Sequence, residues 1–263
     1  MNFTTESQKI EYLRYKNKAA SLLKEYDKKN ISLGPDSVPF IYRKPYLYYK
    51  SLIDSIVLPG FNVLDVCCGD GKFSFMARAK SINLFVSDIV EENVKLAVKN
   101  GNSLKISSTG ITADAMRIPL PDASIDVITC AGSLSYVEID PFLIEIERIL
   151  KMNGRFLCID SFNHNIIYRV NRFFHFIMGN RSWLVNSRIP NDKTLKKITE
   201  NFQMITIRYF GIISFLVKPL SIIIGEKRAS KIIDFFDSEY PFFQRYAFKI
   251  VFECSKQDHK SSL

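Results

Sequence analysis

No stretch of the 263 residues reaches the roughly 20 consecutive apolar positions that a membrane-spanning helix needs. The most apolar run, 210–224, is broken by Lys218 and Pro219, so it offers an interfacial segment at most. Cysteine is scarce. Five thiols are too few and too scattered for a disulfide scaffold, and they read as reduced side chains of a cytosolic protein. Cys67 and Cys68 are adjacent, with no second pair nearby, which makes a poor tetrahedral zinc site; no metal centre is expected. The first thirty residues alternate charge and polarity and lack the apolar core of a secretion signal. Internal repeats and low-complexity linkers are also missing.

What is present is the balance of a folded chain, 47% hydrophobic and 24% charged residues. The net charge of +9 favours anionic partners, but it is unevenly spread. Residues 1–50 carry 10 basic and 5 acidic side chains, residues 51–160 carry 10 and 14, and residues 161–263 carry 16 and 8. An acidic middle is thus flanked by basic, aromatic-rich ends. The expected division is an N-terminal helical cap over 1–50 and a catalytic domain over 51–263, with apolar-basic lid insertions near 162–191 and 212–241.

The middle alternates short buried-strand runs with amphipathic helices. Strands are expected at 61–66, 83–88, 110–113, 125–130 and 155–160. Helices are expected at 72–80 and 91–99, and from Asp140-Pro141 onward, with Phe142, Ile146 and Ile149 on one face. A further helix at 192–201 and strands at 204–211 and 246–254 complete the pattern. This is an α/β fold with a doubly wound, mostly parallel, seven-stranded Rossmann-like sheet.

In such sheets ligands bind at the carboxyl ends of the strands. The first strand ends in Asp65-Val66-Cys67-Cys68-Gly69-Asp70-Gly71, whose two glycines let the backbone approach a ligand. The second ends at Asp88, seventeen residues past Gly71, where a carboxylate can accept two hydrogen bonds from a ribose diol. The third leads to Asp114-Ala115, suited to an adenine edge. Residues 61–160 resemble the class I S-adenosylmethionine-dependent methyltransferases through these ordered motifs and through Ile118-Pro119-Leu120-Pro121-Asp122-Ala123-Ser124-Ile125-Asp126. The family pattern is acidic-x-Gly-x-Gly-x-Gly, and Cys67 stands at its first glycine. The resemblance implies S-adenosyl-L-methionine as cofactor and S-adenosyl-L-homocysteine as product. It assigns Asp65, Cys67, Gly69, Gly71, Asp88, Ile89, Asp114, Ala115, Cys130 and Tyr136 to the cofactor.

The rival ligand is a nicotinamide dinucleotide, since Gly69-Asp70-Gly71-Lys72-Phe73-Ser74 is one side chain from its fingerprint. A pyrophosphate there would face Asp65 and Asp70 with only Lys72 to offset them, whereas the amino group and sulfonium of S-adenosylmethionine are cationic.

For the acceptor, the loop after the fourth strand, Cys130 to Tyr136, lacks the Asn/Asp-Pro-Pro-aromatic tetrad that enzymes methylating base nitrogens share. Nucleic acid is therefore set aside. Asp160-Ser161-Phe162-Asn163-His164-Asn165 offers His164 as a general base, or as a residue that merely packs or caps, and Asp160 as its orienter, as a substrate ligand, or as an acceptor for backbone N–H groups. Tyr46 or Tyr49 would fold over the cofactor, or else pack. The looser likeness beyond residue 160 is to small bacterial enzymes of surface-polysaccharide biosynthesis. It implies O-methylation of a sugar hydroxyl on a glycan or lipid-linked precursor. The alternatives are an apolar lipid or quinone acceptor, and a non-catalytic protein that only binds the cofactor. The basic, aromatic insertions serve as a lid, as a patch held at an anionic membrane, or as ordinary core.

Overall fold

The computed structural model describes residues 6–26, 33–77, 81–178, 182–213, 216–239 and 246–256. His259 and Phe242-Phe243 lie outside these residues. Seven strands form one sheet: β1 (Asn62–Val66), β2 (Asn83–Asp88), β3 (Ser108–Thr112), β4 (Ile125–Ala131), β5 (Leu150–Ser161), β6 (Phe202–Phe210) and β7 (Lys249–Lys256). Their order is β3-β2-β1-β4-β5-β7-β6. The first five are parallel, and β7 runs antiparallel between β5 and β6. The expected mostly parallel doubly wound sheet is the observed one.

The pleat sorts side chains to two faces. Leu64, Val66, Ile128, Cys130, Phe156 and Cys158 pack on one side. There they meet Phe142, Ile146 and Ile149 of α4 (Ile139–Ile149) and Ile198 of α7 (Asp192–Asn201). Val63, Val127, Leu157, Ile159 and Val251 face the other side, against Tyr49 and Ile53 of α2 (Lys44–Ile56) and Ala97 of α3 (Glu91–Ser103). Each of these fully buried large apolar side chains stabilises the fold by roughly 1.5–3 kcal/mol. Near the sheet run α1 (Glu6–Lys24), α5 (Ile166–Ile177), α6 (Trp183–Ser187), α8 (Val217–Ile224) and α9 (Glu226–Glu239).

Two expectations need correction. Residues 72–77 form successive turns rather than a helix, and 78–80 lie outside the described residues. The loop before these turns is held close to α3 by Gly71, with Ala97 2.8 Å from where its Cβ would stand. The fifth strand begins at Leu150, directly after α4, with Asn153 in the left-handed region at φ 61°. The helix therefore ends at Ile149, and the strand starts five residues earlier than the expected 155. Among the described residues no helix is long and apolar enough to cross a membrane.

Candidate active site

The β1 loop is held open from behind. Cys67, Gly69 and Gly71 all have positive φ, at 55°, 54° and 75°. A Cβ on Gly71 would lie 2.8 Å from the Cα and Cβ of Ala97, so that glycine seats the loop on α3. A Cβ on Gly69 would meet nothing within 4 Å, because that residue faces open space. Cys67 adopts the left-handed conformation without glycine's freedom, at a cost of about 1–2 kcal/mol.

Asp65 lies beneath this loop rather than in it. It is 2% exposed. Its Oδ2 accepts from the Ser74 hydroxyl and its Oδ1 from the Thr129 hydroxyl at 2.9 Å. Burial pushes its carboxyl up to about 6; the two hydroxyls oppose the rise and nearby Asp88 adds to it. Asp88 ends β2 and ties the loop to the sheet. Its Oδ2 accepts from Gly69 N–H at 2.9 Å. Its Oδ1 accepts from Val90 N–H at 2.9 Å and from Asn93 Nδ2 at 3.2 Å. Burial raises its carboxyl above the ordinary range, opposed by these donors. An ionised carboxylate oxygen has two acceptor sites, so Oδ2 keeps one beyond its bond to Gly69. Asp114 turns its own loop, with Oδ1 accepting from Met116 N–H at 3.0 Å.

These strand ends open into a cavity of about 540 Å³, within the usual range for small-molecule sites. Cys67, Gly69, Asp88, Ile89, Asp114, Ala115 and Tyr136 line it, as the sequence motifs anticipate. Asp65, Gly71, Cys130, Asp160 and His164 are not among the lining residues, and each has a structural partner. Gly71 seats the loop on α3, as described. Cys130 is 1% exposed, and its N–H donates to the Tyr49 hydroxyl at 3.1 Å. Tyr49 is itself buried under the sheet, and Tyr46 stacks on Phe73 at 4.8 Å between centroids. Asp160 accepts from the backbone N–H groups of Leu134 at 2.8 Å and Ser161 at 2.6 Å, which fixes the loop after β4. His164 Nε2 lies 3.0 Å from Asp192 Oδ2, and its ring packs on Phe162 at 4.2 Å. The anticipated Asp160–His164 pair gives way to a His164–Asp192 contact outside the cavity.

The far wall comes from residues that motif reading missed. Gln8, Glu11, Tyr12 and Tyr15 of α1 line the cavity, and so do Leu184, Val185 and Arg188. The Tyr15 hydroxyl donates to the Tyr136 hydroxyl at 2.8 Å, with the rings edge to face at 5.5 Å. Ser182 N–H donates to Glu11 Oε1 at 3.1 Å, which joins the segment before α6 to α1. Arg188 pairs with Glu138 at 2.9 Å. The available signal was the spacing 8, 11, 12, 15, which is one face of a helix.

The lining carries five acidic side chains, Glu11, Asp70, Asp88, Asp114 and Glu138, against two basic ones, Lys72 and Arg188. On a chain of net charge +9 this local reversal suits a cationic ligand and opposes a pyrophosphate. The donor set therefore fits S-adenosylmethionine. Asp88 and Asp114 both open on the cavity, and Gly69 leaves space for close approach.

Residues 64–158 match the family described as a methyltransferase domain. The demethylmenaquinone methyltransferase of Listeria welshimeri is 30% identical over 180 residues, which are 60% of this chain and 75% of that protein. The ubiquinone/menaquinone biosynthesis C-methyltransferase UbiE of a Caulobacter species is 29% identical over 184 residues, 58% of this chain and 71% of its own. A demethylmenaquinone methyltransferase of Deinococcus radiodurans is 34% identical over 101 residues, and the chain spans only 42% of its length. Among solved structures, the geranyl diphosphate C-methyltransferase of Streptomyces coelicolor superposes with a TM-score of 0.64 at 14% identity, covering 97% of this chain and all of that one. The [4+2]-cyclase SpnF gives 0.62 at 17% identity, covering 96% and 97%. At these identities the structural likeness is one of fold.

Proposed function

The chain belongs to the class I S-adenosylmethionine-dependent methyltransferases, and we propose that its acceptor is an apolar small molecule with a nucleophilic ring or alkene carbon, of the quinol or prenyl kind. The likeness to quinone C-methyltransferases over 71–75% of their lengths carries this reading. It moves the weight from the sugar hydroxyl expected from the flanks to the quinone alternative. The far wall of the cavity supports it, since Tyr12, Tyr15, Leu184 and Val185 present aromatic and aliphatic surface opposite the strand ends.

In mechanism, the cofactor supplies an activated methyl group to a nucleophile aligned behind it. The chain's own work is to bind, orient and take up a proton. Asp88 and the Gly69 backbone hold the ribose end, and Asp114 to Met116 the base. The acidic lining favours the cation before transfer over the neutral sulfide after it, which aids release of the product. Four cavity side chains can relay the acceptor's proton: Glu11, Tyr15, Tyr136 and Glu138. His164 is set aside as the base because it lies beside Asp192, outside the lining. A fold shared with a [4+2]-cyclase does not by itself specify methyl transfer, so the reaction needs direct measurement.

The test supplies purified protein with methyl-labelled S-adenosylmethionine and, separately, a reduced demethylated prenylquinone, a prenyl diphosphate and a glycan extract. Label carried into the quinol or prenyl product supports the reading. Label in the glycan alone restores the sugar hydroxyl. Binding of S-adenosylhomocysteine without label in any of them points to a non-catalytic binder or a different acceptor.

A further inference from the structure

Helix α5 is anchored on one side and carries exposed apolar side chains, among the described residues, on the other. At its start, Asn165 is 3% exposed, and its Oδ1 accepts from the N–H groups of Ile167 at 3.1 Å and Tyr168 at 3.3 Å. Its Nδ2 donates to the carbonyls of Ile212 at 3.1 Å and Tyr246 at 2.8 Å, which pins the helix to two other segments. Tyr168 stacks on Phe248 at 3.9 Å between centroids. The opposite face is apolar and faces outward. Ile166, Ile167, Val170, Phe174, Ile177 and Met178 are between 43% and 71% exposed. At 100° per residue they fall within an arc of about 120°, a continuous stripe rather than scattered exposure.

The stretch of chain that carries the stripe has charged residues of one sign. Residues 161–191 contain four arginines and no aspartate or glutamate. Arg169 is exposed and flanks the stripe on the helix wheel, about 60° from its edge. A helix with an apolar face and a cationic border is the pattern that lies in the interface of an anionic bilayer. A partner protein of ordinary composition offers no reason for the exclusion of acids over 31 residues, whereas a surface of phosphate headgroups does.

We propose that α5 is a membrane-docking helix, which seats its apolar stripe among the acyl chains of an anionic phospholipid bilayer with Arg169 at the headgroup level. The enzyme would then lie on the bilayer without spanning it. The proposal stands apart from the acceptor reading, because docking is measured without cofactor or acceptor.

The experiment is flotation of the full chain with vesicles of phosphatidylethanolamine and phosphatidylglycerol, and with vesicles of phosphatidylcholine alone. The wild type is expected to bind the anionic vesicles at least about tenfold more strongly, and high salt should remove much of that preference. The double variant F174S/I177S, at two exposed positions, should lose about tenfold in binding or more while keeping its thermal midpoint. Arg169→Gln should lose a few-fold. Wild-type protein that stays unbound with anionic vesicles overturns the proposal, and so does a double variant that floats like the wild type. A wild-type dimer in light scattering that F174S/I177S dissociates, without vesicle binding, assigns the stripe to contact between copies and also overturns it.

Discussion

The two walls of the cavity are built in opposite ways. The strand-end wall is dense with internal bonds. Asp88 holds three donors, Asp65 two hydroxyls, and Gly71 sits against Ala97 with no room for a Cβ. The helical wall from α1 and α6 meets it through separate contacts, among them Tyr15 with Tyr136 and Arg188 with Glu138, and is itself tied together by Ser182 with Glu11. A wall that must hold one fixed cofactor is over-determined by short-range bonds. A wall that selects an acceptor is assembled from distant segments whose surfaces can change without disturbing the first. The difference predicts where substitutions will damage the fold and where they will change only chemistry.

Gly71→Ala tests the first wall most severely. The clash with Ala97 and the positive φ should together cost about 3 kcal/mol or more, read as a large fall in thermal midpoint or loss of soluble protein. Gly69→Ala, at a similar φ but facing open space, should cost only about 1–2 kcal/mol in stability while weakening cofactor binding. Equal stability losses in the two variants would break the distinction between seat and mouth.

Next in size is the acid beneath the loop. Asp65 has its carboxyl raised to about 6 from the ordinary 3.8, so its ionised form is disfavoured in the folded state. Its contribution is fully present below about pH 4 and is lost as pH rises through about 6, an effect of the order of 3 kcal/mol. Urea unfolding across that window should show stability falling with pH, and Asp65→Asn should flatten the profile. An unchanged slope in the variant would assign the pH dependence elsewhere.

Asp88→Ala should weaken S-adenosylhomocysteine by about ten- to hundredfold in calorimetry, through loss of the acceptor and of the Gly69 tether. Tyr136→Phe, on the boundary between the walls, should leave cofactor Kd within about threefold but lower kcat by about tenfold or more if its hydroxyl relays the proton. The smallest effect is reserved for His164→Ala. A contact with a well-exposed Asp192 is worth less than about 1 kcal/mol, and kcat should stay near the wild-type value. A large fall in kcat would return His164 to the chemistry.

Much of the strand-end wall is legible in the chain because its parts are local. A buried run, a glycine loop and an acid lie within a few residues of one another, and the strands repeat that unit in order. Even there, proximity in the chain blurred the roles. Asp65 and Cys130 sit in motifs but serve the scaffold, since the side chain of a strand residue points to one face or the other and only packing decides what it meets. The expected Asp160–His164 pairing differs from the observed contacts for a similar reason. Asp160 and His164 are four residues apart, yet the strand ends between them, and Asp160 turns to the Leu134 backbone while His164 turns to Asp192 on α7.

The sequence alone determined the sheet, its two apolar faces and the acid-and-glycine cofactor edge, because period-two burial and short loops are properties of neighbouring residues. The tertiary structure alone brought Tyr15 to Tyr136 across 121 positions, closed the cavity with α1 and α6, and left the stripe on α5 facing outward. Helical periodicity announces that a face is apolar, but whether that face is covered depends on which distant segments pack on it. Asn165 and Tyr168 anchor the other side of this helix.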